Sequence, residues 1–460
     1  MKKTFVRLSA MIVLVTLVAA LAASAAEQRV KLELWTWKVA FKAGLEAVAK
    51  EYTKKTKVAV EVKAFSPDAA YTQRVTAAAN AGELPDVVSY WAQSKAQINP
   101  GLVELSSAVK SWGVPFLPGT LETCSINQFN VNEFKNNVNA NEFEKSYRVG
   151  DLYLVPMDSG TFYTIYANRK LLKAAGVPAV APKTFDEMIE MMVKVKEKTK
   201  VPGFVYGGKC ADLLYNWMLQ GLLLCQDGPE GIRALATGKA KMSDAKFLAV
   251  LKAFETMVKK DLLMPGVVQT DIDPADAAFA AGKAAFSLGG TFSLASMVAN
   301  GMNPKDVMTF IVPPLKGAKL TKLELNPFPL IGFGVAKNSK HQKEAIGLIQ
   351  FFLRPDMQAL YARISNDVPV IAMKPAEIAK AGPNVAAFLN AFSHNRAPIT
   401  VAQDDMLYLK DKTPTANLFG NLQAMVFGQK TAAQVAAQWD EEMAVRRQSE
   451  KESGAYPYKD

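Results

Sequence analysis

Aromatic and hydroxyl side chains recur where three predicted strands end, and this pattern is the chain's clearest indication of chemistry. The three ends read Trp35-Thr36-Trp37, Phe65-Ser66 and Tyr90-Trp91. An aromatic ring offers a flat apolar face, and a hydroxyl or indole N–H beside it supplies a hydrogen-bonding group. Sugar rings need this combination, because their C–H faces are apolar and their hydroxyls need convergent polar partners. The pattern therefore favours carbohydrate binding.

The segments before these ends predict an α/β domain. Residues 30–34 and 58–62 alternate apolar and polar side chains, which is the period of a strand. Between them, apolar residues at 41–52 fall on one stripe of a helix. A second apolar stripe at 71–78 leads to a third strand at 86–90. Strand, helix, strand at this spacing predicts a parallel, right-handed crossover. Parallel sheets bind ligands beyond the carboxyl ends of their strands, where the aromatic residues lie.

The chain lacks the usual residues of an enzyme. Its only histidines are His341 and His394, both in polar, loop-like segments. It contains no Gly-x-Ser-x-Gly elbow, phosphate loop or Cys-x-x-Cys pair. We therefore predict neither catalysis nor a cofactor. A cleft glycosidase stays as an alternative, because that chemistry needs only two carboxylates.

Composition is typical of a globular protein with a basic balance. Half of the 460 residues are apolar, and the formal net charge is +11. Without the charges of the first 25 residues the net charge falls to about +8. The lysines are scattered rather than clustered, whereas a nucleic-acid interface needs a basic patch. We therefore predict no nucleic-acid partner.

The N-terminus has the anatomy of an export signal. Residues 1–25 begin with the basic residues Lys2, Lys3 and Arg7 and continue with an apolar run. They end in Ala23-Ser24-Ala25, small residues of the kind found at a signal-peptide cleavage site. The apolar run is shorter than the roughly 20 residues of a membrane span. No cysteine follows that could carry a lipid anchor, since the first is Cys124. These features predict a periplasmic protein without an anchor.

The three cysteines leave pairing open, because an oxidising compartment permits disulfides. Cys210 and Cys225 bracket a helical-looking apolar run. A helix of 15 residues separates its ends by about 22 Å, whereas a disulfide needs Cα atoms within about 7 Å. That pair is disfavoured, and pairing of Cys124 with either of the others is not decided by the sequence.

Several colinear motifs in the chain resemble the extracellular solute-binding family that includes maltose-binding protein and serves ABC importers. The longest are Ala81-Gly82-Glu83-Leu84-Pro85-Asp86-Val87-Val88, Leu152-Tyr153-Leu154-Val155-Pro156, Tyr166-Ala167-Asn168-Arg169-Lys170-Leu171-Leu172 and Pro182-Lys183-Thr184-Phe185-Asp186-Glu187. Others are Ala278-Phe279, Ala281-Gly282-Lys283-Ala284-Ala285 and Phe351-Phe352-Leu353 with Gln358. Together they extend from about Val30 to Met443. Their order along the chain, rather than any single motif, carries the resemblance.

The resemblance implies a type II periplasmic-binding-protein fold. Its two lobes are each a mostly parallel sheet flanked by helices, and they close on ligand about strands that cross between them. We place the crossings near 155–158, 312–314 and 361–367. The N-terminal lobe then comprises 26–154 and 315–360, and the C-terminal lobe comprises 159–311 and 368–443. The tail at 444–460 is expected to be flexible. An asparagine-rich segment at 119–147 shows little periodicity and is expected to be an irregular insertion.

On this fold, the candidate ligand contacts lie at strand ends and at the seam between lobes. They are Trp35, Trp37, Ser66, Tyr90, Trp91, Asp158, Tyr163, Gly290, Thr291 and Phe292. Of Trp35 and Trp37 we expect only one to contact ligand. Trp217, inside an apolar helix, is interpreted as a core residue.

The function predicted from these residues and the resemblance is capture of a mono- or oligosaccharide for delivery to an ABC permease. A monomer is expected. The alternatives are binding of ferric ion, a polyamine or a phosphorylated polyol. A ferric site would need tyrosines, and Tyr361 and Tyr408 are isolated in the sequence. The sugar's identity, length and linkage are not determined by the sequence.

Overall fold

A computed structural model of the chain describes residues 30–66, 68–95, 98–323, 328–391 and 414–452. The predicted export signal at 1–25 lies outside these residues. The strands are β1 (Lys31–Thr36), β2 (Ala59–Ala64), β3 (Val87–Trp91), β4 (Val155–Pro156), β5 (Asp158–Gly160), β6 (Thr164–Asn168), β7 (Phe204–Val205), β8 (Phe286–Gly289), β9 (Val307–Ile311), β10 (Phe328–Pro329), β11 (Ile331–Val335) and β12 (Val368–Pro369).

Helices separate most of these strands. They are α1 (Lys42–Thr56), α2 (Asp68–Ala81), α3 (Ser106–Trp112), α4 (Thr120–Cys124), α5 (Gln128–Asn136), α6 (Glu142–Lys145), α7 (Arg169–Ala174), α8 (Phe185–Thr199), α9 (Gln220–Thr237), α10 (Ala245–Lys259), α11 (Ile272–Ala280), α12 (Ser293–Ala299), α13 (Gln342–Phe352), α14 (Pro355–Ser365), α15 (Pro375–Ala381), α16 (Pro383–Ala391), α17 (Pro414–Val426) and α18 (Ala432–Glu452). Among the described residues, no helix is both long and apolar enough to cross a bilayer.

The first sheet has the order β2-β1-β3-β11-β4 and begins as the N-terminal pattern predicts. β1 pairs in parallel with both β2 and β3, and Leu32 and Leu34 of β1 are buried. Helix α1 buries Leu45, Val48 and Tyr52 on one stripe. The three strand ends that carry the aromatic residues therefore share one edge of this sheet.

The second sheet has the order β7-β8-β6-β9 and completes a two-lobed α/β architecture. Only β7 and β8 are parallel, while β6 runs antiparallel to β8 and β9. The expectation of a mostly parallel sheet is therefore wrong for this lobe. The reason is the path of the chain: β6 enters the lobe from the seam, and β8 and β9 return toward it.

A third, small sheet of order β10-β5-β12 links the other two. Both of its pairings are antiparallel. β5 connects β4 of the first sheet to β6 of the second, and β10 connects β9 of the second sheet to β11 of the first. Glycine is needed at Gly160 in β5, because a Cβ there would lie 2.4 Å from Thr291 Oγ1 and 2.5 Å from Leu330 Cδ1.

The buried apolar residues form two clusters, one under each large sheet. Leu315 and Leu323 pack in the second cluster, although the predicted division placed 315–360 in the first lobe. The chain therefore re-enters the first lobe at β10 and β11 rather than at 312–314. The segment after β9 therefore still packs on the second lobe.

The asparagine-rich segment at 119–147 is helical rather than irregular, because it forms α4, α5 and α6. Asn127 and Asn141 each cap a helix through the side-chain oxygen, accepting from the backbone N–H three residues on. Asparagine is among the preferred residues at this position. Two of these short helices pack on the first lobe through the buried residues Cys124 and Val131. Here asparagine marks helix starts rather than disorder.

Helix α18 closes the second lobe and continues to Glu452. The predicted flexible tail at 444–460 is therefore helical over its first part. Val435, Trp439 and Met443 bury their side chains in the second cluster. Arg446, one turn further on, is also buried.

All three cysteines are free, and Cys124 and Cys225 are buried in different clusters. We expect mature protein unfolded without reductant to titrate three thiols per chain with a chromogenic disulfide reagent. Reductant should leave the melting temperature unchanged, because no cross-link restricts the unfolded chain. A count of one thiol would contradict this arrangement.

Candidate functional site

The first lobe contributes an aromatic face beyond the ends of β1 and β3. Trp37 stacks on Trp91 with ring centroids 4.7 Å apart and an interplanar angle of 29°. Tyr90 meets Trp91 edge-on at 4.9 Å, and Tyr71 supports Trp37 from the other side at 5.6 Å. Trp37 is 3% exposed, whereas Trp91 is 37% exposed. In this face Trp37 is therefore buried between its neighbours, and the indole of Trp91 is accessible to solvent.

Two of the predicted contacts lie away from this face. Trp35 packs edge-on against Phe65 at 5.2 Å, and the guanidinium of Arg74 lies 5.8 Å from its ring centroid. The side chain of Ser66 is exposed at the end of β2. β1 ends at Thr36, so Trp37 leaves the strand's alternation and points to a different neighbour from Trp35.

The second lobe and the linking sheet contribute another aromatic cluster. Phe162 and Trp217 stack face to face with almost parallel rings, whose centroids are 4.6 Å apart and whose interplanar angle is 7°. Phe292 meets Phe162 edge-on at 6.3 Å and Trp217 at 5.7 Å, and Phe328 lies 4.8 Å from Phe162. Trp217 is interpreted from the sequence as a core residue. In the structure it is half-buried and packs at the border of the second cluster. It lies in a single π-helical turn, Tyr215–Leu219, a feature frequent at functional sites.

The glycine turn after β8 is tied to the linking sheet. Thr291 donates its backbone N–H to the carbonyl of Thr161 at 3.0 Å, and its hydroxyl accepts from the Thr161 N–H at 3.3 Å. The carbonyl of Gly290 accepts from Tyr166 Oη at 2.6 Å. A Cβ on Gly290 would lie 2.2 Å from Phe292 Cε1, so glycine lets this ring fold back over the turn.

Tyr163 lies next to Phe162 in an unusual conformation. Its φ of 46° is in the left-handed region, which a non-glycine residue rarely adopts and which is often found at functional sites. Its hydroxyl donates to Oε1 of Gln220 at 2.8 Å. This bond and the conformation together fix the chain at the entry to β6.

Lys38 is the residue that bridges the two aromatic groups, and sequence reasoning missed it. Its Nζ lies 5.8 Å from the ring centroid of Trp37 and 5.1 Å from that of Phe292. It also lies 3.7 Å from Oδ2 of Asp68. The only sequence clue was its position directly after an aromatic strand end.

Asp158 lies in the linking sheet, fully buried. Its Oδ1 accepts from the Ile331 N–H at 2.7 Å and its Oδ2 from the Tyr361 hydroxyl at 3.3 Å. Burial raises the pKa of Asp158 to about 7. Burial and the negative charge of Asp158 raise the pKa of Asp367 well above its usual range. The two carboxyls therefore retain a proton in common near neutral pH.

The predicted site residues thus divide into groups. The structure brings Trp37, Tyr90 and Trp91 together at the seam. Lys38 links this group to Phe292. Gly290 and Thr291 shape the turn that carries Phe292, and Asp158 lies behind it in the linking sheet. Among the described residues, no group of three or more histidine, cysteine, aspartate or glutamate side chains is placed to hold a metal ion.

Comparison with known proteins agrees with this architecture. A family model for bacterial extracellular solute-binding proteins matches residues 37–359. The chain belongs to this family. No curated protein matches the sequence of this solute-binding protein at a significant level.

Solved structures share the fold of this solute-binding protein across nearly its whole length. One, from work on xylan utilization by the thermophilic bacterium Caldanaerobius polysaccharolyticus, is 21% identical with a TM-score of 0.65, covering 90% of this chain and 100% of its own. A chitin oligosaccharide binding protein is 21% identical with a TM-score of 0.62, covering 91% and 98%. Maltose-bound MalE3 of T. maritima is 19% identical with a TM-score of 0.62, covering 91% and 100%.

Proposed function

We propose that this solute-binding protein captures a mono- or oligosaccharide between its lobes and delivers it unaltered to the permease of an ABC importer. The observation that carries the proposal is the pair of aromatic stacks at the seam, Trp37 on Trp91 and Phe162 on Trp217. Flat aromatic faces match the apolar faces of a sugar ring. The buried hydroxyl of Thr291 and the polar ends of Lys38 and Asp68 border the same region.

The comparisons support the same ligand class. Two of the structural relatives are described as binding chitin oligosaccharide and maltose. Each is only about one fifth identical to this chain, so they support the class of ligand and not its identity. The aromatic and charged residues at the seam are expected to select the particular sugar.

Export, assembly state and lobe motion are parts of the proposal. The N-terminal sequence supports secretion to the periplasm, and the separate cores support a monomer that is complete by itself. The lobes are discontinuous in sequence, and the linking sheet at β5, β10 and β12 supports a hinge about which they open and close. A closed form would sandwich the sugar between the two aromatic groups.

The alternatives gain less support from the described residues. A ferric site would require a cluster of ligands; Tyr361 is instead bonded to Asp158, and Tyr408 lies outside the described residues. A polyamine would be attracted by Asp68 and its acidic neighbours, but Lys38 already brings a positive charge to them. A cleft glycosidase would require two carboxyls facing a sugar, whereas Asp158 and Asp367 are fully buried.

A ligand screen tests the proposal. We expect one or more carbohydrates to raise the melting temperature of the purified mature protein, with micromolar or tighter affinity by calorimetry. The same screen includes polyols, polyamines and ferric salts. Stabilisation by iron or a polyamine with none by carbohydrates would overturn the proposal. Chromatography of the recovered sugar should show no product, and a new product would establish catalysis.

A further inference from the structure

Lys38 occupies a position that would otherwise suit a cationic ligand. It follows β1 directly, its backbone N–H donates to the Thr36 hydroxyl at 3.3 Å, and its side chain is 26% exposed. The ammonium lies within 6 Å of the ring centroids of Trp37 and Phe292. Aromatic faces at this distance attract a cation through the negative potential of the ring. The protein therefore places its own cation at the centre of the seam.

One carboxyl group lies beside this ammonium, and carboxyl groups of the second lobe act on the same region through their charge. Asp68 of the first lobe lies 3.7 Å from the ammonium. Burial is the largest cause that raises the pKa of Asp68, and the positive charge of Lys38 lowers it. The negative charges of Asp273 and Asp271 in the second lobe raise this pKa further. Asp276, which is buried on α11, also feels the positive charge of Lys38. Without Lys38, these acidic groups and the two rings would together form a cation-binding site.

We infer that Lys38 makes the cleft select uncharged sugars over cationic amino sugars, an inference that rests on the proposed carbohydrate function. A sugar bound at the seam, as the proposed function has it, lies against the accessible aromatic faces beside Lys38. If an ammonium replaces one of its hydroxyls, a second positive charge enters a partly buried region that already holds one. Like charges repel strongly where water is excluded. Removing the charge of Lys38 reverses this balance, because Asp68 then loses its ion pair with Lys38.

The test measures matched pairs of sugars in which an amine replaces a hydroxyl. The pairs are glucose with glucosamine, galactose with galactosamine, and cellobiose with the β-1,4-linked glucosamine dimer, at a mildly acidic pH where the amines are charged. Affinities are measured by titration calorimetry for wild type and Lys38→Met. We expect wild type to prefer the neutral member of at least one pair. The preference should fall by at least about tenfold in Lys38→Met.

Three further variants keep the result interpretable. Lys38→Gln removes the charge but keeps a polar group, and it should shift the preference in the same direction. Lys38→Arg keeps the charge and should retain the wild-type preference. Lys42→Met removes a charge from α1, where Lys42 lies 3.6 Å from Glu46, and it should change nothing. Thermal melting of each variant checks that it folds.

The outcomes separate this inference from the function on which it rests. If wild type binds a neutral sugar and its preference over the amino sugar persists in Lys38→Met and Lys38→Gln, Lys38 is not the determinant and the inference is overturned. If wild type binds no carbohydrate of either kind, the proposed function is overturned and the inference with it. Loss of the preference in Lys42→Met as well would also contradict a specific role for Lys38.

Discussion

Replacing Phe292 with alanine is expected to weaken carbohydrate binding by at least about 30-fold, or roughly 2 kcal/mol. The ring lies against Phe162, Trp217 and the ammonium of Lys38, and it packs against the core of the first lobe. Truncating an aromatic anchor in such a position typically costs a few kcal/mol of binding. Calorimetry against the sugar found in the ligand screen measures the change.

The same substitution should leave the fold largely intact. Phe292 is half-buried at the seam, and its loss should cost less than the roughly 3 kcal/mol typical of a fully buried phenylalanine. Phe427→Ala is the matched control, since Phe427 is 59% exposed near the end of the chain; it should bind sugar normally. If Phe292→Ala unfolds the protein, or if it binds sugar as tightly as wild type, our placement of the site is wrong.

Stability is expected to fall as the pH rises from about 4 to about 7, because of the carboxyl pair in the linking sheet. In the unfolded chain both aspartates lose their protons near pH 4. In the folded protein burial raises the pKa of Asp158 to about 7 and that of Asp367 further. The folded state therefore binds more protons across this range, and the free energy of unfolding decreases with pH. The stabilisation is complete below the unfolded pKa and is lost as the pH passes the folded one.

Other groups near Asp158 and Asp367 also influence the pKa values of this carboxyl pair. Tyr361 of α14 donates a hydrogen bond to Asp158, and the positive charge of Lys38 lowers the pKa of both carboxyls without offsetting their burial. Tyr166 of β6 lies near Asp367 and feels its charge. None of these supplies a buried cation in direct contact with the pair, so the retained proton is what neutralises it.

Asp367→Asn tests this explanation by removing one carboxyl and leaving an amide of the same shape. We expect the decrease in the free energy of unfolding between pH 4.5 and 7, measured by urea denaturation, to shrink to less than about half of its wild-type size. Asp356→Asn is the control, because Asp356 in the first turn of α14 is exposed and pairs with Arg354. An unchanged slope in Asp367→Asn would show that the pair does not hold the proton.

Local patterns in the sequence were enough to predict the first sheet and the place where ligand contacts gather. Alternation at 30–34 and the apolar stripe at 41–52 each depend on neighbouring residues only, and the structure has β1 and α1 there. Once the strands are parallel, their carboxyl ends must share an edge. This is why Trp37, Tyr90 and Trp91 could be grouped without a structure. Family motifs in colinear order then extended the prediction to both lobes.

Tertiary structure alone decided which of these side chains meet, because the contacts join residues far apart in the sequence. Trp217 stacks on Phe162, and Lys38 reaches Phe292, although neither pairing leaves a trace in local periodicity. The second sheet is mainly antiparallel because the chain enters and leaves that lobe at the seam. Asp158 acquired a pKa near 7 from its burial beside Asp367 in the linking sheet, whereas the sequence suggested only an acceptor for ligand hydroxyls. Packing, burial and charge at the seam are properties of the folded chain as a whole.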